Sequence, residues 1–424
     1  MAAPRRSFPG KGLSSCGPDH VPCQASADGA PMPATASGAG QRRFDVYEPL
    51  AAFELLDELE FLTQRAIEPV PFYAPQFLVP AMPRLDDRHV RLMVARDEKD
   101  GRSRLRLLMP FSVERSGLLG GPSCVRAWTH PFGPRGGPPI DHDDPAGTVA
   151  SLFDTLREPR MKLPPILVAP DLRLDGPVAT TLLAEAALRG LPVRIVERRE
   201  RACLSAEGDA ERFLPSALSA RRQRELSRQR RRLEARGRVG FTVASKRQQV
   251  REAAEIFLEL EASGWKGRAR SALLNDRYRA AFAREALDGL AELQRVRVYT
   301  LTLDGRAIAS AILLVSGGEA ALWKIAYDEA AADVSPGFQL LAKASQAMLR
   351  DPAIRFVDSC AVPDHSLVNR LWRDRIEIGT LVIGLHPDAQ RAVARASAGV
   401  TRTRRAREGL WRVRSLLKRL RLRR

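Results

Sequence analysis

The apolar positions of this chain follow two periods that alternate in blocks. From Phe44 through PLAAFELLDELEFLTQRA, Leu55, Leu59 and Leu62 recur at the spacing of one helix face. HVRLMVARD and RLRLLMPFSVE then read as strands on either side of a KDGRS turn. The Gly/Pro-rich stretch HPFGPRGGPPIDHDDPAG reads as a loop. After it come a helix near 147–157, a strand PPILVAPDL, a helix GPVATTLLAEAALRG and a strand PVRIVERRE. The second half runs in a similar sense. A basic helix over about 215–236 precedes a strand VGFTVAS, a helix with Val250, Ala254, Phe257 and Leu260 as its apolar stripe, and the helix LLNDRYRAAFAREALDGL. LQRVRVYTLTL, RAIASAILLVS and EAALWKIAYD form a meander joined by DG and GG turns. A helix opening at Ser335, a strand IRFVDSCA, a short helix SLVNRLWRD and a strand IEIGTLVIGL close the pattern.

These blocks predict an α/β (α+β) chain of two similar halves, 44–205 and 206–388. Residues 1–43, rich in Gly, Pro, Ala and Ser, are expected to be disordered, and 389–424 form a basic amphipathic tail. The net charge of +18 sharpens that division. Residues 219–238 hold nine arginines and two glutamates, and residues 389–424 hold thirteen Lys/Arg and one Glu. The rest is close to neutral, which argues against a surface that coats nucleic acid uniformly and for two defined anionic contacts. In the tail, Leu410, Val413, Leu416, Leu417 and Leu420 share an arc ringed by arginines, the pattern of a helix lying on an anionic membrane surface; RNA is the competing partner. No apolar run approaches the roughly 20 residues of a spanning helix, and no secretory leader is visible, so the expected address is cytoplasmic, peripheral at the inner membrane. Five cysteines form no paired framework, and Cys16, His20 and Cys23 lack a fourth metal ligand.

The order of the second half, together with SGWKGRARSALL, LDGRAIASAILL, LWKIAYDE, SPGFQLL and VDSC, resembles the GNAT acyltransferases, in particular their CelD-like and FemAB-like bacterial group. The resemblance spans roughly 44–388 and is weaker in the first half. It implies tandem GNAT-like folds with mixed, largely antiparallel sheets. It also implies an N-acyltransferase (acetyltransferase) that takes acyl-CoA, typically acetyl-CoA, as co-substrate without a metal. The acceptor would be a small-molecule or glycan-linked amine or hydroxyl, in polysaccharide or envelope assembly, with DNA not a partner. Two alternatives stand beside it: an aminoacyl-tRNA donor, as in some FemAB-like relatives, and a non-catalytic membrane-peripheral adaptor.

Ser335 is a favoured N-cap type, Pro336 suits the first helical position, and Leu340, Leu341, Ala344 and Met348 give that helix its stripe. The resemblance implies that this helix start receives the acyl-CoA pyrophosphate, on the amides of Gly337, Phe338 and Gln339 with the Ser335 hydroxyl nearby. Alternatively, Gly337 allows close packing. Strand alternation puts Trp323, Ile325 and Tyr327 on one face and Leu322, Lys324, Ala326 and Asp328 on the other. Tyr327 and Asp328 end that strand beside the helix start and are catalytic candidates; Asp328 either orients or deprotonates an amine or is a solvated strand-end acid, and Lys324 is a candidate to contact substrate. Asp358, among apolar neighbours, is either a general base or an arginine's partner. Ser359 and Cys360 follow it, but no Cys/His pairing supports a nucleophile. The final short helix has no tyrosine to serve as the acid the resemblance implies; His365 at its start is a substitute or a surface cap, and the acid is unassigned. Trp265 and Lys266 sit just beyond a helix end, as a stacking and charge pair for the acceptor or as a core edge. In the basic helix, Leu218, Leu226 and Leu233 share a face with Arg222 and Gln229. This makes Arg222 and its neighbour Arg221 candidates for an acceptor phosphate or carboxylate, or else solvated arginines.

Overall fold

A computed structural model describes residues 41–421, apart from 86–87, 100, 118–119 and 208. The first half runs β1 (Gln41–Tyr47), α1 (Leu56–Gln64), α2 (Pro75–Leu85), β2 (Arg91–Lys99), β3 (Arg102–Gly117), β4 (Gly120–Ala127), α3 (Pro145–Arg157), β5 (Ile166–Arg173), α4 (Pro177–Leu188) and β6 (Val193–Ser205). The second half follows as α5 (Ala210–Ala217), α6 (Ala220–Glu234), β7 (Val239–Ala244), α7 (Arg247–Ser263), α8 (Trp265–Arg268), α9 (Arg277–Glu292), β8 (Val296–Leu303), β9 (Arg306–Ser316), β10 (Glu319–Tyr327), α10 (Pro336–Arg350), β11 (Phe356–Asp358) and β12 (Asp374–Gly384). A long α11 (Gln390–Arg421) ends the described chain.

All twelve strands join one mixed sheet in the order β1-β2-β3-β4-β5-β12-β6-β11-β10-β9-β8-β7. That order reads the same from either end when β1–β6 are exchanged for β7–β12, so the duplication suggested by the sequence is built into the sheet. Only β4–β5 and β10–β11 are parallel, one pair per half. Each half also lends its last strand to the other: β12 pairs with β5, β6 pairs with β11, and the two pair with each other at the centre. The two predicted domains are therefore interlocked, and the described residues form one compact unit.

Several boundaries move. Residues 41–43 belong to β1 rather than to the N-terminal segment, and Phe44 begins no helix. Phe44 and Val46, two apart, face the core formed by Met93, Ala95 and Leu107. Pro80 and Pro83 lie inside α2, which broke the pattern expected of a helix, yet seven of its residues are buried. The basic helix is two helices, broken at Leu218–Ser219. Residues 390–400 are not a free tail: Val393, Ala396 and Val400 pack on Cys124, Ile166, Val168 and Val382. The apolar arc from Leu410 onward, and Cys16, His20 and Cys23, lie outside the described side chains. No described helix is long and apolar enough to cross a membrane.

The principal core lies between α1, α2, α7 and α9 and one face of the sheet, drawing on both halves through Leu92, Leu105, Val298 and Ile312. At its centre Phe77 of α2 meets Phe282 of α9 edge-on at 5.1 Å, and both rings stand against Trp323 of β10. This aromatic contact ties the halves together beside the second parallel strand pair.

Candidate active site

β10 pairs with β11 over three residues only, Glu319–Ala321 against Phe356–Asp358. β11 ends there, while β10 continues to Tyr327 with β9 as its one strand partner. The far half of β10 thus offers backbone groups on a side with no neighbouring strand. A β-bulge falls at the same place: Leu322 opposes Leu313 and Lys324 opposes Ile312, so Trp323 is the extra residue. The bulge resets the alternation expected from the sequence. Trp323 and Ala326 enter the principal core, whereas Ile325 and Tyr327 pack into the cluster on the opposite face with Leu322. Lys324 is delivered to the side of Trp323, its Nζ 4.6 Å from the Phe132 ring.

There Lys324 meets Lys266. The first residue of α8 is Trp265, and the turn at Gly264 brings Lys266 back toward β10. Its Nζ donates to the Ile325 carbonyl, on that open stretch of β10, and to Glu261 Oε1, both at 3.0 Å. Lys324 Nζ lies 3.3 Å from the same oxygen. The other Glu261 oxygen accepts the Leu273 amide at 2.9 Å. Glu261 has a fully buried side chain, and that of Lys324 is 12% exposed. Burial pushes the Lys324 ammonium down to about 8, outweighing the attraction of Glu261, with the Lys266 charge adding to the fall. For Glu261 burial acts upward, but the two lysine charges and the Leu273 amide hold it below the usual carboxylate range. Two ammonium groups on one buried carboxylate leave a cation that exchanges its proton near neutrality. The first half closes the site: Trp323 Nε1 donates to the Phe132 carbonyl at 2.7 Å, and Phe132 covers Lys324.

Glu261 was missed by the sequence reading. Its signal was present, because 250, 254, 257 and 261 continue one helical stripe and a carboxylate on an inward stripe requires a cation.

The three candidate catalytic residues lie away from the lysine pair. Asp358 is fully buried; Arg201 holds one oxygen at 2.9 Å, and the Cys360 amide donates to the other at 2.8 Å. Of its two expected roles, the contacts fit that of an arginine's partner. Asp328 caps the 3-10 turn Glu329–Val334 by accepting the Ala330 amide. Tyr327 points to the opposite face from Lys324. Burial and the Asp358 charge push the Cys360 thiol well up, which keeps it a thiol.

The expected pyrophosphate cradle is also reduced. Pro336 has no amide proton, and the amides of Phe338 and Gln339 both donate to the Ser335 carbonyl. Only the Gly337 amide remains, and a Cβ there would stand 3.2 Å from both Tyr327 and Leu367, so close packing accounts for the glycine. Ser335 sits in the left-handed region at φ 49°, and its hydroxyl accepts from Gln229 at 3.2 Å instead of capping. Gln339 donates to the Val334 carbonyl, and Phe338 packs at the edge of the core. Arg221 and Arg222 are exposed, because Gln223 takes the inward position and donates to the Leu218 carbonyl. α6 nevertheless flanks the start of α10, through Gln229 and through ion pairs of Arg232 and Arg236 with Asp333. Trp265 is half exposed, and its amide donates to Glu329. His365 accepts the Val368 amide; burial and the Lys266 charge lower its imidazole. Of the predicted site residues, Lys266 and Lys324 converge on Glu261, while Tyr327 packs against Gly337 on the other face.

Residues 220–363 match the family model of the GNAT acetyltransferase domain. No curated protein matches the chain. Among solved structures it is similar to FemX, at 10% identity and a TM-score of 0.52, covering 77% of this chain and 95% of that one. A C-terminal DUF2156 domain from Agrobacterium fabrum, described as a lysylphosphatidylglycerol synthetase, aligns at 16% identity over 82% and 98% of the two chains, TM-score 0.48. A tandem GNAT protein of the clavulanic acid pathway aligns at 15% identity over 80% and 98%, TM-score 0.38. The match to the GNAT acetyltransferase domain thus falls within the second half, and the fold of the chain is similar to that of FemX.

Proposed function

We propose that the protein transfers an acyl group from acyl-CoA to an amine or hydroxyl acceptor at the open stretch of β10, with Lys324 and Lys266 as its working groups. The observation that carries this reading is the pair of ammonium groups sharing the buried Glu261. Neutral Lys324 takes the proton of the attacking nucleophile as the new C–N or C–O bond forms. The Lys266 ammonium balances the charge developing on the carbonyl oxygen. As the C–S bond breaks, the proton held by Lys324 passes to the departing thiolate. The start of α10 offers one amide for the donor's phosphates, so that task falls mainly to the exposed arginines of α6, Arg221, Arg222 and Arg228 among them.

A second reading keeps the site and changes the donor to aminoacyl-tRNA. It is favoured by the same imbalance, because a single helix-start amide beside a 15-residue helix with seven arginines suits a repeating phosphate backbone. Calorimetric titration separates the two. Saturable acetyl-CoA or longer acyl-CoA binding that weakens in Arg221→Glu/Arg222→Glu supports the first reading. No binding to any acyl-CoA, with salt-dependent binding of tRNA, replaces it with the second. The acceptor's glycan or envelope setting and a membrane-peripheral location are part of the same proposal. Liposome association should be lost on truncation after Arg405, a cut that spares the packed Val400; unchanged association would remove the membrane role.

A further inference from the structure

Outside this site, a cavity of about 580 Å³ lies between α7 and the edge of the sheet. Its floor carries the hydroxyls of Thr242, Thr300 and Thr302, and Ala253, Ile256 and Leu260 of α7 form an aliphatic wall. Thr300 is 5% exposed, yet its Oγ1 has no partner among the described residues. Ser310, opposite it on β9, is fully buried and equally unpartnered. Buried hydroxyls without partners are uncommon and costly, and one lining a cavity is placed to bond whatever enters. β7 is the last strand of the sheet, so its outer backbone edge has no strand partner. Ile256 on the α7 wall is about two-fifths exposed, a large apolar side chain facing open space. The charge is also local: Glu252 and Glu259 line the groove against Arg306 alone, in a protein of net charge +18.

We propose that this groove binds an extended peptide segment bearing a basic side chain, which adds to the free edge of β7. Backbone groups of the peptide would pair with β7, an apolar side chain would lie against Ile256 and Leu260, and the basic side chain would face Glu252 and Glu259. This is the strand-addition mode of peptide recognition, with the acidic wall supplying selectivity. The site lies on the outer side of α7, whose Glu261 serves the lysine pair, and the proposal does not depend on the identity of the acyl donor.

The test titrates the full-length protein with the blocked peptide Ac-Val-Lys-Val-Thr-amide, and with versions carrying Glu in place of Lys or N-methylated at alternate amides, followed by methyl NMR. The lysine peptide should bind saturably and shift Val243, Ile256 and Leu260. The Glu and N-methyl versions should each lose about tenfold in affinity or more, equivalent to about 1.4 kcal/mol. Glu252→Lys/Glu259→Lys, exposed and remote from the core, should reverse the Lys-over-Glu preference. Thr300→Val, isosteric and buried, should weaken all peptides alike. Equal affinity for the Lys and Glu peptides, shifts that map elsewhere, or no saturable binding would overturn the proposal.

Discussion

Arg126 is the last residue of β4 paired to β5, and Trp128 stands two places beyond it; Ala321 and Trp323 hold the same places on β10. Both tryptophans enter the shared core, and the chains diverge at the next residue, Thr129 in the first half and Lys324 in the second. Beside Thr129 lies a cavity of about 770 Å³ whose cations are all arginines, with Arg126 paired to Glu114 and Arg199 to Asp171. Beside Lys324 there is one carboxylate for two ammonium groups. The same framework thus carries guanidinium groups at one junction and a buried lysine pair at the other. Guanidinium groups hold their charge across neutral pH, whereas the desolvated lysine is forced into the range where protons move. The scaffold occurs twice, and the lysine after the bulge, on which the proposed reaction relies, occurs in the second copy alone.

The comparison breaks first, if it is wrong, at Glu261. Glu261→Ala leaves two buried ammonium groups and the Leu273 amide without their acceptor, and urea unfolding should show a loss of about 3–5 kcal/mol. Asp171→Ala at the first junction, where the carboxylate is partly exposed, should cost about 1 kcal/mol. Equal losses would erase the distinction between the junctions. Lys324→Met should lower acyl transfer by about 100-fold or more while leaving stability unchanged or raised, because a desolvated charge disappears. Thr129→Val should change turnover by no more than about twofold.

Stability against pH sharpens the same point. The Lys324 ammonium is lowered on folding from 10.5 to about 8, so between those values the unfolded chain binds more protons than the folded one. Unfolding free energy should therefore rise with pH across that window, by about 1–3 kcal/mol, and the rise should vanish in Lys324→Met. Glu261 acts at the other end: its carboxylate is held down on folding, so its contribution is lost as pH falls through the acidic range. The smallest effect concerns Gly337. Gly337→Ala should cost about 1 kcal/mol through crowding of Tyr327 and Leu367, with donor affinity unchanged. A loss of donor affinity without loss of stability would restore the anion cradle.

Much of the scaffold was legible from local pattern. RAIASAILLVS is β9 to the residue, and the meander, α10 and the doubled layout follow from alternation, turns and caps. β1 was hidden by its position behind a low-complexity segment, β4 by its two leading glycines, and α2 by its two internal prolines. The strand exchange at the centre of the sheet depends on long-range pairing that no local period encodes. The site was half legible for a related reason. Lys266 and Lys324 stand out as cations in the pattern, but the bulge at Trp323 changes which residues share a face, bringing Lys324 beside Trp323 and parting Tyr327 from it. Asp358 attracted attention as a carboxylate on an apolar strand, and the arginine that claims it lies 157 residues away.

The central claim is that Lys324 is the group poised to exchange a proton during acyl transfer. Side-chain NMR titration of the lysines, with Lys324→Arg to assign the signal, tests it directly. One ammonium should titrate at about 8, and in Glu261→Gln it should move lower still as the attraction that supports the charged form is withdrawn. A Lys324 signal titrating at the ordinary lysine value of 10.5, unmoved by the loss of Glu261, would contradict it.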